Sequence, residues 1–173
     1  MRLPRLPEGS LEMRSDNMES FLKRPNVAVL SWTTASGEAM STPIWYQYRD
    51  GRFLMHTTYG TAKARAIERN DRVCLCIQDT APPYRYVTVR GRAALLKEPE
   101  RSLRLYEEMA RAYYDRVGAG YYIRNMVRKM GGEHLIIEVT PTKISSLDAT
   151  QAVHPLVMAV WRLLRRLPGL GVA

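Results

Sequence analysis

The residues best suited to chemistry form a short run of hydroxyls and cations near the middle of the chain. Thr57, Thr58 and Thr61 precede Lys63 and Arg65, and the alanines around the two cations predict a short helix capped by Thr61. Both cations would lie in the first turn, where free amide groups and the helix dipole favour anions. The run therefore predicts a site for an anionic group. The alternative interpretation is a solvated helix face.

Histidine and cysteine offer little metal chemistry. His56 adjoins the threonines and is predicted either to contact a ligand or to fill a half-buried structural position. His134 and His154 have no partner at a metal-ligand spacing, so we interpret both as structural. Cys74 and Cys76 alternate on one predicted strand without further ligands nearby, which makes a poor zinc site. We expect both thiols to pack in the core and expect no metal.

Tyrosine is abundant on the predicted strands and helices around the site. These side chains are predicted either to stack on a ligand ring or to serve as core and interface residues. The tyrosines concerned are Tyr84, Tyr86, Tyr113, Tyr114, Tyr121 and Tyr122.

The chain is strongly basic, with 26 lysines and arginines against 17 acidic residues and a formal net charge of +9. This excess favours a polyanionic partner, which would be nucleic acid, anionic lipid or a phosphorylated small molecule. Codon bias towards arginine is the alternative explanation. No nucleic-acid recognition motif is present, so we expect no nucleic-acid partner.

Length and composition predict one globular domain. The chain has 173 residues, of which 46% are hydrophobic and 25% charged. No apolar run reaches the length of a membrane span, and the basic start of the chain lacks the apolar core of a signal peptide. With two cysteines and no disulfide framework, the expected location is the cytoplasm.

The elements that must position the site are mostly strands. Alternating apolar residues with Ser-Gly and Asp-Gly turns predict a three-stranded antiparallel meander over 27–57. Pro43 marks an edge or a bulge of its second strand. Further strands are predicted at 73–77, at 85–96 with a bend at Gly91, at 134–140 and at 143–147. Helices are predicted at 11–21, 61–70, 99–117 and 121–130, with a break at Gly118 to Gly120.

This pattern predicts an α+β, mainly β, fold: a six-stranded antiparallel β-barrel with peripheral helices. We divide the chain into a flexible arm at 1–10, a barrel domain at 11–150 and a C-terminal amphipathic helical tail at 151–173. The arginine-bearing tail helix at 155–167 is expected to dock on the barrel, extend a dimer interface or lie on an anionic membrane surface. Stable membrane insertion is not expected.

Four motifs in order carry a family resemblance. The hairpin that begins at Thr34 and the Asp50-Gly51 strand precede the helix Gly60-Thr-Ala-Lys-Ala-Arg, and a later strand reads Val87-Thr-Val-Arg-Gly-Arg-Ala93. Together they resemble the split β-barrel superfamily of pyridoxamine 5'-phosphate oxidase-like flavin and deazaflavin oxidoreductases. The resemblance implies a split barrel and a homodimer with the cofactor at its interface.

The resemblance also implies cofactor-binding residues. Lys63 and Arg65 would anchor the phosphorylated tail, and Ser41, Thr42 and Pro43 on the neighbouring strand would line the ring edge. The implied cofactor-binding residues are Met40, Ser41, Thr42, Pro43, His56, Thr57, Thr58, Thr61, Lys63 and Arg65. The cofactor itself carries the chemistry, so we name no catalytic side chain.

Departures from the family pattern narrow the expected activity. The stretch 147–153 carries no arginine, whereas the oxidases proper use a C-terminal arginine-rich substrate motif, so pyridoxamine phosphate oxidation is disfavoured. The His56-Thr57 pair and the single lysine resemble the branch that binds coenzyme F-420, a deazaflavin. This implies hydride transfer from reduced F-420 to an electrophilic organic substrate.

Other functions of the same fold stay open at this point. An FMN-dependent reductase or oxidase is the closest alternative, and a non-catalytic module that stores or senses a flavin, deazaflavin or haem is another. Nitroaromatics, quinones, enones and tetrapyrroles are all acceptable substrates on the sequence alone.

Overall fold

The computed structural model describes residues 11–153, 156, 157 and 160. The predicted arm at 1–10 and most of the predicted tail helix at 155–167 lie outside the described residues. Among the described residues, no helix combines the length and the apolar character needed to cross a membrane.

Seven strands and four α-helices make up residues 11–153, and residues 156, 157 and 160 are helical as well. The strands are β1 (Ala28–Thr33), β2 (Ala39–Ile44), β3 (Gln47–Arg49), β4 (Arg52–Thr58), β5 (Arg72–Gln78), β6 (Arg85–Leu96) and β7 (His134–Asp148). The helices are α1 (Ser15–Leu22), α2 (Ala62–Arg69), α3 (Pro99–Tyr113) and α4 (Arg116–Asn125), with 3-10 turns at Val127–Lys129 and Ala149–Ala152.

The strands form one antiparallel sheet in the order β2-β1-β5-β6-β7-β4-β3, a split barrel that is not closed by hydrogen bonds. The α+β, mainly β, architecture is therefore confirmed, with seven strands rather than six. Two predicted boundaries are wrong, because the predicted strands 134–140 and 143–147 form the single strand β7, and the predicted strand 40–48 divides at Trp45 and Tyr46. The predicted three-stranded meander over 27–57 is therefore replaced by two separate hairpins, β1-β2 and β3-β4. The two halves of the divided strand become the opposite edges of the sheet, and Pro43 lies on the first of them, as predicted for an edge.

The two-residue crossover forces the sheet to curl. Ile44 ends β2 and Gln47 begins β3, so the two edges are joined by three Cα steps, which span about 11 Å at most. Tyr46 points into the barrel core, where it is 2% exposed and packs on Phe53. Trp45 points outward and packs against the helices.

Strand alternation decides which side chains fill the barrel. On β5, Val73, Leu75 and Ile77 point inward and are buried. Cys74 and Cys76 point to the outer face and are half-buried, so the prediction that they pack in the core is wrong. The reason is the two-residue period of a strand, because the core face is already taken by the branched residues.

The long strand β6 bends where the sequence predicts it. The pairing register with β7 shifts between Arg90 and Gly91. A Cβ atom at Gly91 would lie 2.6 Å from the Val139 side chain and 2.8 Å from the Thr140 carbonyl oxygen. Glycine is therefore required there by the close approach of β7.

Helix α3 covers the outer face of β4 and β7. Leu105 and Met109 pack there on Leu54 and Ile136. The buried Ser102 hydroxyl donates to the Leu135 carbonyl oxygen at 2.8 Å, which attaches the helix to the sheet.

Helix α4 then folds back on α3. Asp115 caps it by accepting a hydrogen bond from the Gly118 amide at 2.7 Å. Gly118 and Gly120 consequently lie inside a helix, and the predicted helix break at these glycines is wrong. The chain instead leaves the helical conformation at Tyr114, where the backbone is extended.

Candidate functional site

The candidate site lies where the crossover between the sheet edges meets α3 and α4. Tyr113 holds the crossover in place, because its hydroxyl donates to the Asn26 carbonyl oxygen at 2.7 Å and accepts from the Tyr46 amide at 3.2 Å. Burial raises the pKa of Tyr113 to about 12, so the hydroxyl keeps its proton. Its ring also stacks on Trp45, with centroids 4.9 Å apart.

Aromatic rings form the wall of this site. Trp45 lies within 5.9 Å, centroid to centroid, of Tyr106, Tyr113, Tyr114 and Tyr122. Tilted, stacked and edge-on contacts of this kind add to the energy of apolar burial and leave little freedom to any single ring. The cluster is therefore a rigid surface on which a flat ligand can lie.

A cavity of about 370 Å³ opens beside the cluster. Its lining includes Pro43, Trp45, His56, Tyr106, Met109 and Tyr122. Residues from the edge strand β2, the crossover, β4 and both helices thus meet in one cavity. Mixed apolar and polar linings of this size are typical of small-molecule sites.

His56 enters the site from the outer face of β4. Its ring lies parallel to that of Tyr106 at 4.1 Å between centroids, and its Nε2 is 3.1 Å from Nδ1 of the buried His134. Burial, the neighbouring His134 and the charge of Lys63 lower the pKa of His56 to about 4. His56 is therefore neutral at physiological pH and acts as a hydrogen-bonding group rather than as a cation.

Lys63 lies in the first turn of α2 and is half-buried. Its charge contributes to the low pKa of His56, so the ammonium group lies within electrostatic range of this cavity-lining residue. Burial lowers the pKa of Lys63, and no described carboxylate forms an ion pair with it. A half-buried cation without an anionic partner from the described part of the chain is available to an anionic ligand.

The predicted threonines form hydrogen bonds at the start of α2. The Thr61 hydroxyl accepts from the Ala64 amide at 3.4 Å and donates to the Thr58 carbonyl oxygen at 3.0 Å, which confirms the predicted cap. The hydroxyl oxygens of Thr57 and Thr61 are 3.1 Å apart. Because the Thr61 hydroxyl already donates its proton to the Thr58 carbonyl oxygen, the Thr57 hydroxyl is the donor in this hydrogen bond. Both hydroxyl protons are thus engaged within the protein.

The other predicted cofactor-binding residues lie either at the start of α2 or on the edge strand β2. Arg65 is exposed, and its guanidinium donates to the Gly60 carbonyl oxygen at the start of α2. Ser41, Thr42 and the 45% exposed Met40 lie on the edge strand β2, outside the lining of the cavity.

Sequence reasoning missed the central part of the wall. Trp45 and Tyr106 belong to no motif, and nothing in the sequence pairs His134 with His56. The signal that existed was helical spacing, since Tyr106 and Tyr113 are seven residues apart and so share a face of α3. Of the tyrosines singled out, Tyr113, Tyr114 and Tyr122 join the cluster, and Tyr84, Tyr86 and Tyr121 are exposed elsewhere.

The family is shown by sequence. The model of the pyridoxamine 5'-phosphate oxidase family matches residues 15–148, most of the chain, and the chain therefore belongs to this family. No curated protein sequence matches the chain significantly.

Solved structures confirm the fold. An F-420 reductase is 23% identical with a TM-score of 0.59, over 81% of this chain and 98% of the other. A conserved hypothetical protein from Mycobacterium tuberculosis is 22% identical with a TM-score of 0.69, over 86% and 92%. HutZ, the heme storage protein from Vibrio cholerae, is 14% identical with a TM-score of 0.57, over 76% and 94%.

The low pKa of His56 predicts a pH-dependent stability. As pH falls, the unfolded chain binds a proton at this histidine near its ordinary pKa of 6.5, whereas the folded chain binds it only near 4. Stability is therefore complete above pH 6.5 and is lost progressively down to pH 4, by about 3 kcal/mol. The measurement is the free energy of unfolding in denaturant at pH 7 and pH 4.5, for wild type and His56→Gln.

The variant should lose less stability than wild type between the two pH values. An equal loss in both proteins, or a histidine NMR titration that places the midpoint of His56 near 6.5, would contradict the assignment.

Proposed function

We propose that the protein is an oxidoreductase that uses reduced coenzyme F-420 to transfer a hydride to an electrophilic organic substrate. The observation that carries the proposal is the half-buried Lys63, a cation without a described ion-pair partner beside an aromatic cavity. F-420, when bound, supplies the hydride. The family description and the F-420 reductase among the structural neighbours support the same class of chemistry.

The residues present fit an anionic, ring-bearing group. Lys63 and the amide groups at the start of α2 would hold the phosphorylated tail, because helix dipole and ammonium charge act in the same direction. Arg65 is exposed and lies two residues after Lys63, so it would add a second cation at the surface. Pro43 and His56 would border the ring, since both line the cavity.

The cavity offers neutral groups to the substrate. His56 is uncharged at physiological pH, and the stacked ring of Tyr106 covers one face of its imidazole. A neutral, apolar environment strengthens the hydrogen bonds made inside it. We therefore expect a flat, uncharged acceptor of the size of a quinone or a nitroaromatic.

Hydride addition to such an acceptor leaves negative charge on the substrate, which a nearby proton donor must neutralise. The hydroxyls of Tyr106 and Tyr122 are 2.7 Å apart. Burial and this hydrogen bond raise the pKa of Tyr106 above its usual range, so Tyr106 keeps its proton, and we assign Tyr106 as the donor of this hydrogen bond and the Tyr122 oxygen as its acceptor. The proton of Tyr122 is then free to point into the cavity, towards a substrate oxygen.

A homodimer completes the proposal. Met40, Ser41 and Thr42 lie on an exposed edge strand outside the cavity, so a cofactor that touches them has to extend over the protein surface. A second copy of the chain placed against this edge would cover such a cofactor and would also pair the open edge.

The cofactor and its anchor are tested together by titration. Wild-type apo-protein is expected to bind F-420 more tightly than FMN, followed by cofactor fluorescence. Lys63→Met removes the half-buried cation and should weaken F-420 binding at least about tenfold, as expected for a lost charge-assisted contact.

Arg69→Met is the matched control, because Arg69 is an exposed cation in the last turn of the same helix. It should change the affinity by less than about twofold, as for a screened surface charge. Much tighter binding of FMN than of F-420 would contradict the proposed cofactor and favour an FMN-dependent enzyme. Equal effects of the two variants would show that the anchor is misassigned.

Tyr122→Phe tests the proton donor. The variant keeps the aromatic ring and removes only the hydroxyl, so cofactor affinity should stay unchanged while kcat falls by about 100-fold, within the usual range for a general acid. The measurement is acceptor-dependent oxidation of reduced F-420 with a quinone. Tyr121→Phe, on the exposed face of α4, is the control and should retain activity. An unaltered kcat in Tyr122→Phe would exclude this role.

The dimer is tested by light scattering of the purified protein. A mass of twice 19.8 kDa is expected, and Met40→Glu on the exposed edge should shift the protein towards the monomer. A wild-type protein that is monomeric with F-420 bound would contradict the proposed interface.

A further inference from the structure

Four arginines surround a second cavity on the side of the helices. A space of about 530 Å³ lies between the end of α3, α4 and the 3-10 turn that follows. The four arginines of its lining are Arg111, Arg116, Arg124 and Arg128. Ala119, Gly120 and Ile123 complete the lining, and none of the lining residues is shared with the aromatic cavity.

A single carboxylate compensates these charges in part. Glu107 contacts Arg111 at 3.0 Å and Arg128 at 3.2 Å. Burial raises the pKa of Glu107, but the hydrogen bonds and charges of the two arginines outweigh it and hold the pKa below its usual range. Glu107 is therefore ionised, and it orients two of the four guanidinium groups.

The other two arginines have no ion pair with any described carboxylate. Most arginines elsewhere in the described sheet and on α3 are paired, for example Arg101 with Glu98 and Arg92 with Asp71. Arg116 and Arg124 lack such a partner, and the nearby Asp115 is occupied in capping α4. Their positive charge is left for a group outside the described chain.

The floor of the cavity is built from small residues. Arg124 lies over Gly120, since a Cβ atom at position 120 would be 3.4 Å from its Nη1. Buried Ala119 and Ile123 provide an apolar surface beside the charged groups. The lining thus combines a cationic rim with an apolar floor.

We propose that this cavity is a second ligand site, which binds an organic molecule carrying a diphosphate group. Guanidinium groups bind phosphoryl oxygens in pairs, and three uncompensated positive charges in a concave site match a compact group with several negative charges. The cavity has room for more than the diphosphate, and the apolar floor would contact the organic part.

A flat nucleic-acid or lipid surface fits this arrangement less well. Such surfaces are contacted by charges spread along a face, whereas here the arginines converge on one cavity. Binding to anionic vesicles is therefore an alternative outcome that the experiment separates from the proposal.

The test is calorimetric titration of the full chain at low ionic strength, with inorganic pyrophosphate as the probe. Wild type should bind it, and the double variant Arg116→Gln/Arg124→Gln should bind at least about tenfold more weakly. Both side chains are exposed and unpaired within the described structure, so the double variant is expected to fold normally.

Arg101→Gln/Arg104→Gln is the matched control, because it removes the same charge from the first half of α3, outside the cavity. It should change the affinity by less than about twofold. Glu107→Gln should strengthen binding, since it frees Arg111 and Arg128 from their carboxylate. If Glu107 only stabilised the fold, Glu107→Gln would not strengthen pyrophosphate binding.

Four results would overturn the proposal. They are no binding by wild type, an equal loss in the control double variant, citrate binding as tightly as pyrophosphate, and vesicles of anionic lipid binding where pyrophosphate does not. The experiment uses neither F-420 nor turnover, so its outcome is independent of the proposed redox function.

Discussion

The hydroxyl of Tyr113 is the contact on which the arrangement of the site depends. It bridges the Asn26 carbonyl group before β1 and the Tyr46 amide in the crossover, so one side chain from α3 holds both parts of the chain. Because the crossover joins the two open edges of the sheet, its position sets how far the barrel closes. Trp45 stacks on the same tyrosine and is held against the helices. The cavity beside Trp45 is a consequence of this junction, since it lies where the sheet edge and the helices meet.

Burial shifts the pKa values of the groups around this cavity and so determines their protonation states. His56 is held neutral by burial and by its neighbours, and Tyr106 retains its proton for the same primary reason. Lys63 is the exception, a half-buried cation at the start of a helix. A site with neutral donors and one nearby cation suits a ligand with an anionic part and a flat, neutral part. This combination is the basis of the proposed deazaflavin-dependent activity.

The two cavities also explain part of the large positive charge. Lys63 and Arg65 account for little of it, and many arginines are paired with carboxylates at the surface, where such pairs contribute little stability. The convergent arginines at α4 differ because two of them lack a carboxylate partner in the described structure. The overall charge therefore has no single purpose, and local geometry separates the solvated cations from those placed to bind a ligand.

The sequence by itself determined the order of the strands along the chain, the turns, the Thr61 cap, the bend at Gly91 and the family. These features follow from local spacing and from motifs whose residues are near one another in sequence. Only the tertiary structure decided that residues 40–48 divide into opposite sheet edges, that the cysteines face outward, and that α4 begins at Arg116. It also decided the aromatic wall, because Trp45, Tyr106 and Tyr122 come from three elements with no common motif. Strand alternation and helical period show which face of an element is buried. Which other element packs on that face depends on how the sheet curls.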